Sequence, residues 1–193
     1  MSHYFETDNN LKDDLRVIKT KVKETELTFN VNSGVFSKNN LDFGTRSLLE
    51  SLENIEGEVL DFGCGYGPIG IYLSKKFNVY VDMVDINERA ICLANENIKL
   101  NKANAKAFYS NIYENITKKY DYIISNPPIR VGKEILYKIL LDAKKHLKEN
   151  GKLIFVINKD QGAKSTMKKL EETYKVTLLN KNKGFYIIKA EDK

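Results

Sequence analysis

The sequence predicts an α/β fold: a doubly wound, seven-stranded, mostly parallel sheet with a C-terminal antiparallel hairpin and a short β-hairpin in front. Three observations predict it. Strand-like and helix-like segments alternate along most of the chain. Residues 59–70, VLDFGCGYGPIG, run from an apolar strand through a glycine-rich turn into a helix start. Residues 122–128, YIISNPP, end another apolar strand in Asn126-Pro127-Pro128. In such a sheet ligands sit at the carboxyl ends of the strands.

The elements follow in order. Arg16–Val22 and Glu26–Val31 alternate polar and apolar residues, with Leu27, Phe29 and Val31 on one face, as half-buried hairpin strands do. Ser33-Gly34 supplies a turn. Phe43–Leu52 reads as a helix with Leu48, Leu49 and Leu52 inward. Glu58–Phe62 is a buried strand, and Pro68 suits the first turn of the next helix, where a missing N–H costs nothing. Asn78–Val84 is a strand closed by Asp85, and Asp85 or Asn87 caps a helix running to about Leu100. Ala105–Tyr109 and Tyr120–Ser125 are strands. A helix is expected from Lys133 to Leu147, stopped by Gly151. Lys152–Ile157 is a strand and Ala163–Thr173 a helix. Lys175–Leu179 and Gly184–Lys189 form an antiparallel pair around a polar turn. By this reading residues 1–55 are an arm, hairpin and leading helix packed on a core of residues 56–193, in one structural domain.

Composition narrows the classes. A chain of 193 residues, 42% hydrophobic and 30% charged, fits one globular domain. No apolar run approaches the roughly 20 residues of a membrane span. Residues 1–14 are polar and acidic, without a signal-peptide core. Cys64 and Cys92 are too few for a disulfide framework, so a cytoplasmic setting is expected. The net charge of +5 permits a polyanionic partner without requiring one. His3 and His146 are isolated, and no metal constellation is visible. His146 reads as a macrodipole partner at a basic helix end.

Two segments carry chemistry. Gly63, Gly65 and Gly67 let the backbone come close to a ligand, and the following helix offers free N–H groups. Gly65 to Gly70 also fits the dinucleotide pattern G-x-G-x-x-G, with Asp85 twenty residues beyond Gly65 to bind a ribose hydroxyl. A nicotinamide oxidoreductase is therefore a competing reading. Asp61 favours a cofactor with a positive amino-acid tail over a pyrophosphate, which a carboxylate would repel. Asn126-Pro127-Pro128 points the same way. An exocyclic base amine is a poor nucleophile because its lone pair is delocalised into the ring. The Asn126 side-chain oxygen and the Pro127 carbonyl can accept its N–H groups and pull the nitrogen toward tetrahedral geometry. Together the segments point to methyl transfer from S-adenosylmethionine onto a planar nitrogen.

The segments GVFSKNNLDFGTRSLL (34–49), VLDFGCGYGPIG (59–70), VDMVDINERAI (81–91), SNIYENI (110–116), ISNPPIRVGKE (124–134) and KDQGA (159–163) resemble the class I S-adenosylmethionine-dependent methyltransferases. More narrowly, the chain is similar to the catalytic domain of small-subunit ribosomal RNA guanine-N2 methyltransferases and their single-domain relatives. The resemblance implies a Rossmann-like methyltransferase fold. It implies that Asp61, Gly63, Cys64, Gly65 and Gly67 line the methionine part of the cofactor. Asp85 would bind the ribose, with Ile86 and Asn87 beside the adenosine, and Ser110 and Asn111 would flank the adenine. Asn126, Pro127 and Pro128 would hold the target amine, and Phe36 and Ser37 would close over the substrate side.

Ile129 stands where the family often has Phe or Tyr, so base stacking falls to Phe36 or Tyr66. Larger members carry a further domain ahead of this one, and about 55 residues precede the core here, so recognition by that domain is not expected. Arg130, Lys133 and Lys159 follow strand ends and suit phosphate contacts, as do Lys19, Lys21 and Lys23 of the first hairpin. The expected function is methylation of an exocyclic base amine in RNA, guanine N2 of ribosomal RNA or of a small-subunit particle. A protein side-chain amide methyltransferase and a non-catalytic RNA-binding relative are the alternatives.

Overall fold

In the computed structural model, residues 15–32 and 40–193 are described. The chain opens with β1 (Arg16–Val22) and β2 (Thr25–Val31), an antiparallel pair with Val22 opposite Thr25. There follow α1 (Phe43–Glu50), β3 (Val59–Phe62), α2 (Pro68–Phe77), β4 (Val81–Asp85), α3 (Glu88–Leu100), β5 (Ala105–Tyr109) and β6 (Tyr120–Ser125). The remainder is α4 (Lys133–Asp142), β7 (Leu147–Asn158), α5 (Ala163–Leu170), β8 (Lys175–Asn182) and β9 (Phe185–Glu191). The main sheet has seven strands in the order β5-β4-β3-β6-β7-β9-β8. Strands β3 to β7 are parallel, and β9 pairs antiparallel with both β7 and β8. The doubly wound sheet and both hairpins are thus those the sequence predicts.

Each face of the sheet is covered by helices, which is why β3 is buried along its whole length. On one face α1, α2, α3 and the front hairpin pack through Leu48, Leu49, Ile71, Leu73, Leu93 and Phe29. On the other, α4 and α5 pack through Leu136, Ile139, Leu140 and Leu170. Parallel pairing then puts the carboxyl ends of β5, β4, β3 and β6 side by side, with Asp85 opposite Tyr109 and Phe62 opposite Ser125.

The front hairpin is fastened by two asparagines one turn apart on α3. The Asn97 side chain accepts from Asn30 N at 2.8 Å and donates to Asn30 O and to Tyr66 O, both at 2.9 Å. Asn101 accepts from Thr28 N at 3.1 Å and donates to Thr28 O at 2.7 Å. These amides complete the backbone groups of β2 as a neighbouring strand would.

Several boundaries differ from expectation. The strand expected from Asn78 begins at Val81, because Asn78 ends α2 in the left-handed region at φ 55°. The helix expected to reach Leu147 ends at Asp142, whose carboxylate is held by Lys138 and Lys145. Residues 143–146 tighten into a 3-10 turn, and Leu147 already pairs with Tyr120 as the start of β7. Gly151 is therefore no helix stop. It lies within β7, where a Cβ would stand 2.8 Å from the Lys148 carbonyl oxygen and 2.9 Å from that of Tyr120. The helices expected to reach Leu52 and Thr173 end two and three residues earlier, at Glu50 and Leu170.

Asn97→Ala leaves the backbone of Asn30 and the Tyr66 carbonyl without their partner. It is expected to destabilise the protein by about 2–4 kcal/mol in urea unfolding, against less than about 0.5 kcal/mol for a typical surface substitution.

Candidate active site

The last two residues of β4 organise the site. The Val84 carbonyl accepts from Gly63 N at 2.8 Å and from Cys64 N at 2.9 Å, which folds the glycine-rich turn over the end of the strand. The Asp85 carboxylate accepts from Gly65 N and from Asn87 N, each at 2.9 Å. Its carbonyl accepts from Ser110 N at 3.0 Å. Asn87 then caps α3 by accepting from Arg89 N and Ala90 N. Gly65 has φ 55°, and, its chain neighbours aside, no heavy atom of a described residue lies within 4 Å of where its Cβ would stand. Open space above that glycine is what a ligand crossing the turn needs.

Asp61 sits beneath the turn with no solvent exposure. One oxygen accepts from Gly70 N at 2.8 Å, and the other has no donor among the described residues. Burial pushes this carboxyl up to about 7, against the pull of the Gly70 N–H and with help from the Asp85 charge. A cationic ligand group near the turn would reverse the shift. Cys64 is buried too, and burial pushes its thiol well up, so it is a small loop residue rather than a nucleophile.

Asn126 follows β6 directly, beside the glycine-rich turn. Its side-chain nitrogen donates to Thr45 Oγ1 at 3.0 Å and to Asp42 Oδ2 at 3.2 Å. With the nitrogen so engaged, the amide oxygen is the group left to accept from a ligand. Pro127 is buried and lies before Pro128, so ring closure fixes its φ and the following ring confines its ψ. Asp42 and Thr45 escaped the sequence reading. The signal was there as a helix start, since Asp42 caps α1 by accepting from Thr45 N at 2.9 Å. Nothing local announced that the same carboxylate reaches a residue 84 positions away.

The other expected residues fall as follows. Ile86 and Asn87 are half-buried beside Asp85, and Asn111 is exposed. The Ser110 hydroxyl is committed to its own turn, donating to Ile112 O and accepting from Asn115 N, so contact with a ligand there falls to backbone or to Asn111. Ile129 and Arg130 form a 3-10 turn after the prolines, and Arg130, Lys133 and Lys159 are exposed. Lys159 packs along Gly184 in the β8–β9 turn, at this same end of the sheet. Phe36 and Ser37 lie outside the described residues.

Three expectations are corrected. Tyr66 is only 3% exposed and meets Phe29 edge-on at 5.3 Å, so its face is not available to stack on a base. Lys23, in the hairpin turn, does not flank the site. Glu24, in the turn after Lys23, pairs with Lys76 at the far end of α2, toward the amino ends of the strands. His146 lies in a 3-10 turn with its ring stacked on Tyr113 at 4.5 Å, and burial holds its pKa below the usual value.

Comparison with known proteins fits this geometry. Residues 26–189 match the model of the methyltransferase small domain. The chain is 41% identical over 196 residues to the protein called YbxB of Bacillus subtilis (strain 168), covering 98% of each. It is 39% identical over 140 residues to ribosomal RNA small subunit methyltransferase C of Vibrio parahaemolyticus, covering 70% of this chain and 41% of that protein. Among solved structures, the Thermus thermophilus 16S rRNA N2 G1207 methyltransferase, in complex with AdoMet and guanosine, superposes with a TM-score of 0.83 at 25% identity. That alignment covers 93% of this chain and 51% of the other. The chain thus spans about half or less of the relatives that carry a ribosomal RNA name.

Asp61 makes a signed prediction for the ligand-free protein. The folded state holds this proton up to about pH 7, whereas the unfolded state releases it near the ordinary carboxylate value of 3.8. The folded state therefore loses stability, relative to Asp61→Asn, as pH rises from about 4 to about 7, and the difference levels off above that. The size is on the order of 4 kcal/mol. Urea unfolding of both proteins across that range checks it, and parallel pH curves would refute it.

Proposed function

The chain belongs to the methyltransferase small-domain family, whose cofactor is S-adenosylmethionine, and from that premise we propose that it methylates an exocyclic base amine in RNA, guanine N2 of ribosomal RNA. The observation that carries this reading is the orientation of Asn126. Its nitrogen is taken by Thr45 and Asp42, so its oxygen faces a substrate as an acceptor.

The residues fit the cofactor. The open space over Gly65 is bounded by Asp85, whose carboxylate suits ribose hydroxyls. The unpartnered oxygen of Asp61 suits the positive amino-acid end. Gly63, Cys64, Gly67, Ile86, Asn87, Ser110 and Asn111 complete the surround. When bound, S-adenosylmethionine supplies the methyl group as an electrophile on a positive sulfur.

The protein's own part is to make the amine nucleophilic. Asn126 Oδ1 and the Pro127 carbonyl accept the two amine hydrogens and turn the lone pair out of conjugation with the ring. Both acceptors are held before the substrate arrives, so little reorganisation accompanies the reaction. No side-chain base is needed, because a methylated ammonium sheds its extra proton to water. Pro128 and Ile129 form the wall beside the amine. Arg130, Lys133 and Lys159 make no ion pair with any described residue and stand at the rim, where RNA phosphates would pass. A guanine amine paired inside a helix is out of reach, so the base must be unpaired or flipped, at a cost of a few kcal/mol.

Asn126→Ala is expected to lower kcat by about a hundredfold or more while leaving the affinity for S-adenosylhomocysteine within about twofold. An unchanged kcat would remove Asn126 from the chemistry. The substrate is tested by incubating the protein and radiolabelled S-adenosylmethionine with ribosomal RNA and with small-subunit particles, then digesting to nucleosides. Label is expected in N2-methylguanosine. Label in N6-methyladenosine would keep the enzyme class and discard the base, and label in protein alone would overturn the RNA reading.

A further inference from the structure

Asp42 places a carboxylate against the side chain of Asn126. It precedes α1 and is only half-buried. One oxygen, Oδ2, does two tasks, accepting from Thr45 N at 2.9 Å and from Asn126 Nδ2 at 3.2 Å. No described residue donates to the other oxygen, and no described lysine or arginine pairs with it. The Asp42 carboxylate lies against the Asn126 amide, and its charge helps to hold the Tyr66 hydroxyl above its usual pKa. A helix cap needs only one acceptor. Among the described residues, this second oxygen beside the amine-holding residue has no donor.

We propose that Asp42 accepts the ring N–H adjacent to the target amine and so selects guanine among the bases that carry an amine. This rests on the reading of Asn126 as the amine holder and deepens it. Guanine carries its amine beside N1–H, and both donors point the same way from the base edge. A carboxylate next to the amine's acceptors meets that N–H. Adenine and cytosine instead carry a ring lone pair beside the amine, at N1 and N3, which a carboxylate repels. A glutamine side-chain amide has no N–H beyond its own NH2 group on that edge. The same residue therefore excludes the other planar amines that an Asn-Pro-Pro turn can hold, by leaving a charge unpaired against each of them.

The test isolates the ring N–H. Short RNAs are made with guanine or 2-aminopurine at the position the wild-type enzyme methylates. The two bases share the amine at C2, but in 2-aminopurine N1 is a lone pair. Wild-type protein is expected to prefer guanine by roughly a hundredfold in kcat/KM, on the scale of a lost partner for a charged group. In Asp42→Ser and Asp42→Asn, both of which still cap the helix, that ratio is expected to fall below about tenfold, with S-adenosylhomocysteine affinity unchanged. A fall common to both bases reports the weakened hold on Asn126, whereas the part of the ratio that the Asp42 variants remove reports the ring N–H, since 2-aminopurine also lacks the O6 of guanine. Equal rates for the two bases with the wild type would overturn the proposal without any variant. So would a ratio that survives in both variants. If the wild type labels no guanine at all, the guanine reading itself is what fails, and this inference goes with it.

Discussion

The end of β4 is the point on which the rest of the site hangs. Within two residues, Val84 and Asp85 accept hydrogen bonds from Gly63, Cys64, Gly65, Asn87 and Ser110. The glycine-rich turn, the cap of α3 and the loop after β5 are thus referenced to one strand end. The strand itself is fixed by parallel ladders on both sides. Loops need such an anchor, because their own backbone groups have no ladder to join. Moving β4 by one residue would turn Asp85 to the other face of the sheet and disconnect all three.

A second set of constraints arrives from outside the sheet. The start of α1 reaches across to Asn126 through Asp42 and Thr45, and α3 reaches back to the front hairpin through Asn97 and Asn101. In both cases a short polar side chain at a helix satisfies groups on an element distant in sequence. The charged groups that remain are sorted by location. Toward the amino ends of the strands, lysines are matched with carboxylates, as Lys118 is with Glu58 and Asp82, and Lys148 with Asp121. At the carboxyl ends, Arg130, Lys133 and Lys159 are left without a carboxylate among the described residues, free to meet an anionic partner at the rim.

How far the sequence could be read depended on the range of the interaction. Periodicity located the nine strands and five α-helices of the described residues, because each pattern is local: alternation in Thr25–Val31, an unbroken apolar run in Val59–Phe62, a capping asparagine at Asn87. The glycine-rich turn and Asn126-Pro127-Pro128 were legible for the same reason. Gly151 misled because a glycine after a helical stretch commonly marks its end, whereas here it answers a crowded crossing with Lys148 and Tyr120. Tyr66 misled because an aromatic residue in a glycine-rich turn looks exposed until Phe29, 37 residues earlier, is folded against it. Asp42 was invisible as a site residue because its role depends on a contact that only the assembled sheet creates.

The fastening of the front hairpin has a kinetic side. A two-stranded hairpin is marginal on its own in water. This one gains its amide partners when Thr28 and Asn30 meet Asn101 and Asn97, at separations of 73 and 67 residues, and side-chain donors from Arg46 and Lys75 at 25 to 49. Closing loops of that length costs entropy before any contact offsets it. Docking of the hairpin is therefore expected to follow formation of α3 on the sheet, an order that φ-values would test. Native-state hydrogen exchange is expected to show it opening at a lower cost than global unfolding. Because Asn97 also holds the Tyr66 carbonyl, each such excursion would loosen the glycine-rich turn, tying the breathing of the chain's front end to how firmly the turn is set.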